Sequence, residues 1–191
     1  PMRIAGEAVK TSRPRTVQLP FDGTAVGTIF EAEPAQVDAA VAAAKAAAPV
    51  MRELTAHERA SILREAYNKL VERAESFAQA ISSESGKPIK EGRLEADRSA
   101  LTLLFSAEEA NRLTGEVVPM DASPAGRGHW AMTVREPLGV IAAITPFNFP
   151  LNLSIHKIGP ALAAGNAVVH KPASATPISA ILLAELLLEC G

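Results

Sequence analysis

Residues 140–171 constrain the fold of this chain more than any other stretch. An apolar run, residues 140–144, ends at the turn Thr145-Pro146-Phe147-Asn148-Phe149-Pro150. A helix-compatible segment follows and stops at Gly165-Asn166. A second short apolar run, residues 167–169, then delivers His170 and Lys171. This order predicts a strand, a turn, a helix and a second strand, the repeating unit of sheets with helical crossovers. In such sheets ligands sit beyond the carboxyl ends of the strands, where this stretch carries its polar residues.

The preceding residues read as hairpins and long helices. Residues 16–19 alternate, Pro20-Phe21-Asp22-Gly23-Thr24 is a turn signal, and residues 25–30 complete a predicted hairpin. Pro34 opens a helix that Pro49 is expected to end, with Val37, Val41, Ala44 and Ala48 on one face. Thr55 and Glu58 form a capping box. Behind it an apolar stripe through Ile62, Leu63, Ala66, Leu70 and Val71 continues to Phe77 and Ile81, and Gly86-Lys87-Pro88 breaks it. A third helix is predicted over 89–113, with Leu94, Leu101, Leu104 and Phe105 inward and Gly115 as its stop. Residues 116–119 and 129–135 read as strands around a loop. Thr176 and Pro177 fit the cap and first position of a last helix.

Composition narrows the function classes. The 191 residues are 48% hydrophobic and 21% charged, which suits a folded chain. A net charge of −2 with interspersed signs offers no footprint for nucleic acid. The apolar stretches at 138–144 and 178–188 fall short of the about 20 residues that span a bilayer. The four histidines share no ligand spacing, so no metal is expected. One cysteine excludes an internal disulfide and suits a reducing, cytoplasmic setting. That residue, Cys190, ends an amphipathic helix with nothing near it in sequence to lower its pKa, and reads as structural.

Two residues stand out for chemistry. Asn148 lies just before Pro150, at a helix start where free N–H groups and a partial positive charge collect. Its amide can donate to a developing oxyanion without carrying charge. The competing role is that of a helix N-cap. Lys171 follows the second strand directly and can reach ribose hydroxyls or a phosphate, unless it is an ordinary surface lysine.

Residues 136–171, with Lys171-Pro172-Ala173-Ser174-Ala175-Thr176-Pro177 after them, resemble the cofactor-domain entry of the aldehyde dehydrogenase superfamily. The resemblance implies an α/β, Rossmann-like fold, of which this is the N-terminal portion. Helices would pack on a parallel sheet, and a β-hairpin would serve oligomerisation. Residues 1–136 would be an N-terminal helical region with oligomerisation strands. Residues 137–191 would be the first half of the NAD(P)-binding domain, without the catalytic domain.

The resemblance also implies roles. Asn148 would stabilise the oxyanion. Ile144, Thr145, Pro146, Phe147, Lys171, Pro172, Ala173 and Ser174 would line the site for NAD or NADP. Phe149 and Arg98 would line the substrate tunnel, with Arg98 a possible anion contact. Many NAD-preferring relatives carry Glu where this chain has Ser174, so the serine permits NADP. Phe147 stands where the family often has Trp. The implied reaction is oxidation of a small aldehyde to the acid through a cysteine thiohemiacetal and thioester. A homodimer or homotetramer is implied, with no nucleic-acid or membrane partner. The alternatives are a CoA-acylating semialdehyde dehydrogenase and a non-catalytic fragment of a larger assembly. Family members supply their catalytic Glu and Cys further along, so residues 1–191 alone are expected to be inactive and poorly stable.

Overall fold

The computed structural model describes residues 1–191. In chain order the elements are β1 (Met2–Ile4), β2 (Glu7–Val9), β3 (Pro14–Gln18), β4 (Ala25–Phe30), α1 (Pro34–Glu53), α2 (Ala56–Glu72), α3 (Ala74–Ser85) and α4 (Ile89–Ala110). Then come β5 (Val117–Val118), β6 (Ala131–Met132), β7 (Val140–Ile144), α5 (Pro150–Ala163), β8 (Ala167–Lys171) and α6 (Ile178–Leu188). Strands β1 and β2, β3 and β4, and β5 and β6 pair antiparallel, while β7 and β8 pair parallel. The crossover between β7 and β8 is α5, as the sequence pattern predicts.

The core lies between the helices and the β7–β8 pair. Leu63 and Leu70 of α2, Ile81 of α3, Leu103 of α4, Leu151 and Ile155 of α5, and Leu183 and Leu186 of α6 are fully buried in one cluster. Burying side chains of this size is worth roughly 1.5–3 kcal/mol each. The cluster joins the helical region to the parallel unit, so α5 and α6 are seated directly on α2, α3 and α4.

Several sequence expectations change. Helix α1 runs through Pro49 to Glu53. Proline removes one N–H from a helix interior, and a long helix can tolerate that loss with a local bend. Only Ala44 on the expected face of α1 is buried; Val37 and Val41 are exposed. The stripe from 56 to 85 is two helices that meet at Arg73, whose φ of −109° and ψ of 14° break the path. Arg73 is tied to the Glu189 carboxylate by two hydrogen bonds of 2.8 and 2.5 Å. Val71 faces solvent. Strands β5 and β6 have two residues each, shorter than expected. The β1–β2 hairpin has no counterpart among the sequence expectations.

Helix α4 turns a different face inward. Leu94, Leu101 and Phe105 are 53%, 47% and 59% exposed. Gly92, Ala96, Ser99, Ala100, Leu103, Ala107 and Ala110 are buried instead, at helical spacing. Small side chains win this face because α3 and α5 come very close. A Cβ on Gly92 would lie 2.6 Å from the Ala78 carbonyl oxygen of α3, and one on Gly159 of α5 would lie 2.6 Å from the Ser106 hydroxyl of α4. A leucine stripe could not enter so narrow a gap. The helix also ends at Ala110, short of Gly115.

Candidate active site

The carboxyl ends of β7 and β8 lie side by side. Ile144 is the register partner of Lys171, and the Thr145 N–H donates to the Lys171 carbonyl at 3.2 Å. The parallel pairing thus brings the two segments singled out in the sequence, 144–149 and 171–174, to one edge. Ile144, Pro146, Phe147, Asn148, Lys171 and Ser174 are exposed there, and Pro172 and Ala173 are half-buried.

Thr145 departs from this set. It is buried, with its hydroxyl 3.2 Å from His170 Nε2 and 3.4 Å from Ser154 Oγ. Its side chain fastens the turn from beneath. Ser154 Oγ donates to the Pro150 carbonyl at 2.6 Å and lies 3.1 Å from His170 Nε2. With the serine proton used on Pro150, the His170–Ser154 contact takes its proton from Nε2. Burial pulls His170 down to about 4, so the ring is neutral near pH 7. This small hydroxyl–imidazole cluster locks the end of β8 to the start of α5.

Asn148 is not the cap of α5. The capping residue is Phe149, with φ −138° and ψ 72°, and no side chain on its own segment caps the helix. The cap comes from α4. Glu95, 2% exposed, accepts from the Leu151 N–H at 3.0 Å and the Asn152 N–H at 3.2 Å through Oε1. Its Oε2 accepts from Lys87 Nζ at 2.8 Å. Lys87 Nζ also stands 4.1 Å from the centre of the Phe149 ring, and the Arg98 guanidinium 5.9 Å from it. Phe149 and Arg98 are thus neighbours.

A matching device holds the second segment. Thr176 does not cap α6: it is buried, its hydroxyl has no partner, and the helix starts at Ile178. Glu84 of α3 caps α6 instead. Its carboxylate accepts from the Ile178 N–H at 2.5 Å, the Ser179 N–H at 3.1 Å and the Ser179 hydroxyl at 2.5 Å. Burial pushes this carboxyl up to about 7, against the downward pull of those three hydrogen bonds. On the other side the Arg15 guanidinium of β3 donates to the Ser174 carbonyl. No pattern along the chain singles out Glu84, Glu95, Lys87, Arg15 or His170, because each meets its partners across the fold. Cys190 is buried, its thiol pushed up by burial, and its Sγ donates to the Leu186 carbonyl at 3.2 Å. It stands apart from this edge, as the structural reading expects.

An exposed amide follows one parallel strand and an exposed ammonium ends its neighbour, at the sheet edge where open α/β units place their ligands. The aldehyde dehydrogenase family model matches residues 8–191, and the chain belongs to that family. It is 45% identical over 188 residues to a 3-sulfolactaldehyde dehydrogenase of Priestia megaterium, covering 98% of this chain and 39% of that protein. It is 39% identical over 188 residues to the human mitochondrial succinate-semialdehyde dehydrogenase, covering 98% of this chain and 34% of that one. Among solved structures, an NADP-dependent glyceraldehyde-3-phosphate dehydrogenase from Bacillus halodurans, complexed with NADP, superposes with a TM-score of 0.94 at 37% identity, over 98% of this chain and 40% of that one. The chain therefore spans roughly two fifths or less of the length of these relatives. NAD or NADP is the cofactor of this fold, and the Lys171 and Ser174 side chains are exposed at this edge. No helix is long and apolar enough to cross a membrane.

Proposed function

We propose that this chain is the N-terminal part of an NAD(P)-dependent enzyme that oxidises a short, anionic aldehyde to its acid. The observation that carries the reading is Asn148, an exposed amide left free of the helix it precedes, in a chain of this family. An amide N–H aimed at a carbonyl oxygen stabilises the negative charge that develops there on nucleophilic attack. Lys171 would hold the adenosine ribose, with Ser174, Pro172 and Ala173 beside it. Ile144, Pro146 and Phe147 would line the path between cofactor and substrate, and Thr145 would contribute through its backbone. The cofactor, when bound, accepts the hydride. Residues 1–136 would serve as the helical and oligomerisation region, and residues 137–191 as the first half of the cofactor domain. The exposed Val117, Trp130 and Met132 on and beside the β5–β6 hairpin suit a subunit contact in a cytoplasmic homodimer or homotetramer.

The substrate class rests on Arg98 and on the relatives. Arg98 is an exposed cation beside Phe149. The sulfolactaldehyde, succinate-semialdehyde and glyceraldehyde-3-phosphate enzymes act on aldehydes with a sulfonate, a carboxylate and a phosphate. The test uses the full-length enzyme with NAD or NADP and no coenzyme A. Succinic semialdehyde should be oxidised with a higher kcat/KM than butanal, and Arg98→Ala should raise KM for the anion alone. No aldehyde-dependent NAD(P)H formation would overturn the activity. Equal use of the two aldehydes, unchanged by R98A, would overturn the substrate class.

A further inference from the structure

We infer that Glu95, braced by Lys87, is a positioning residue that keeps Asn148 available to the reacting carbonyl. The inference rests on the proposed role of Asn148. The first turn of α5 begins with Pro150, which has no N–H, so the first free donors are those of Leu151 and Asn152. Asparagine is among the best helix caps, and Asn148 lies one residue ahead of the capping position. Left unoccupied, those donors would compete for the Asn148 side-chain oxygen and draw its amide back onto the helix. Glu95 occupies both of them from α4, at 3.0 and 3.2 Å. The capping residue itself, a phenylalanine, cannot supply this cap.

A buried carboxylate held against the first turn of α5, which begins two residues beyond Asn148 in the chain, carries a charge that needs balance. Lys87 supplies the balance. Its ammonium is 2.8 Å from Glu95 Oε2 and 4.1 Å from the centre of the Phe149 ring, so one cation pins both the cap and the residue next to Asn148. The protein has filled α5 with its own anion, and it has done the same to α6 with Glu84.

The test is a double-mutant cycle in the full-length enzyme, read as the rate of the hydride-transfer step. Glu95→Ala should slow that step by about 10- to 100-fold, the scale of a sub-ångström to one-ångström misplacement. Glu95→Gln, whose amide oxygen still accepts from Leu151 and Asn152, should recover much of the loss. In an Asn148→Ala background neither variant should slow the step further, because the group they position is gone. Cofactor affinity serves as the control for folding. If E95A fails to fold, the cycle is run with E95Q alone, which should slow the step only when Asn148 is present. Losses that multiply with that of N148A would overturn the inference and leave the role of Asn148 standing. An unchanged rate in N148A itself would remove the role of Asn148, and the inference with it.

Discussion

Replacing Glu84 by Gln should make the full-length enzyme less sensitive to rising pH. The folded carboxyl stands at about 7 and its ordinary value is 4.5. A raised folded value means that the folded state binds the proton more tightly than the unfolded one between those limits. Stability from this group is therefore complete below about pH 4.5 and is lost as pH rises through about 7. At 1.36 kcal/mol per pH unit the loss is roughly 3 kcal/mol. Its cause is desolvation of a carboxylate among α3, α4 and α6, with the Glu95 charge nearby adding to it. Glutamine never ionises and keeps one acceptor for α6, but its NH2 group cannot accept from Ile178 or Ser179 where the hydroxyl oxygen of the protonated acid still can, at a cost of about 1–3 kcal/mol. E84Q should be the less stable protein at pH 5. By pH 8 the wild type should have lost most of its advantage. Urea unfolding of both proteins at the two pH values gives the difference directly, since groups common to both cancel. A gap that stays constant, or widens in favour of the wild type as pH rises, would contradict a carboxyl raised by burial. It would mean that the three hydrogen bonds and the helix dipole outweigh desolvation.

Cofactor choice should respond to Ser174: Ser174→Glu should retain NAD and lose NADP, because a carboxylate repels the 2′-phosphate. An unchanged ratio of kcat/KM for the two cofactors would move the adenosine ribose away from Ser174. His170 should mark the acid limit, because its folded value of about 4 is depressed from 6.5 by burial. Its contribution is present above about pH 6.5 and lost as pH falls toward 4, by roughly 3 kcal/mol in all. His170→Asn should therefore unfold at lower pH than the wild type, and an unmoved acid midpoint would rule out a buried neutral imidazole. Adding a methyl at the α4–α5 contact, Gly159→Ala, should cost about 1–3 kcal/mol by overpacking against Ser106, read as a lowered Tm.

The parallel unit was legible because its signals are local: apolar runs of strand length, a proline-marked turn and a glycine stop. The turn itself carried Asn148 and its neighbours, and strand pairing then brought Lys171 beside Ile144. The inner face of α4 was not legible, since large apolar side chains suggested one face and close helix packing required another made of glycine, alanine and serine. The Thr176 cap failed for a related reason. A capping signal competes with any buried carboxylate that the fold can bring, and Glu84 arrives from 94 and 95 positions away. Glu95 reaches α5 from 56 and 57 positions away. In sequence both are ordinary helical glutamates, which are usually solvated. Their burial follows only from the packing of α3 and α4 on the parallel unit.

The proposed chemistry depends above all on Asn148 stabilising negative charge on the carbonyl oxygen of the substrate. Single-turnover hydride transfer in the full-length enzyme, followed as reduced cofactor, tests this most directly when the wild type is compared with Asn148→Ala. The variant should transfer hydride about 10²–10³-fold more slowly, with cofactor affinity unchanged. An equal hydride-transfer rate in the two proteins would leave Asn148 without a role in the chemistry.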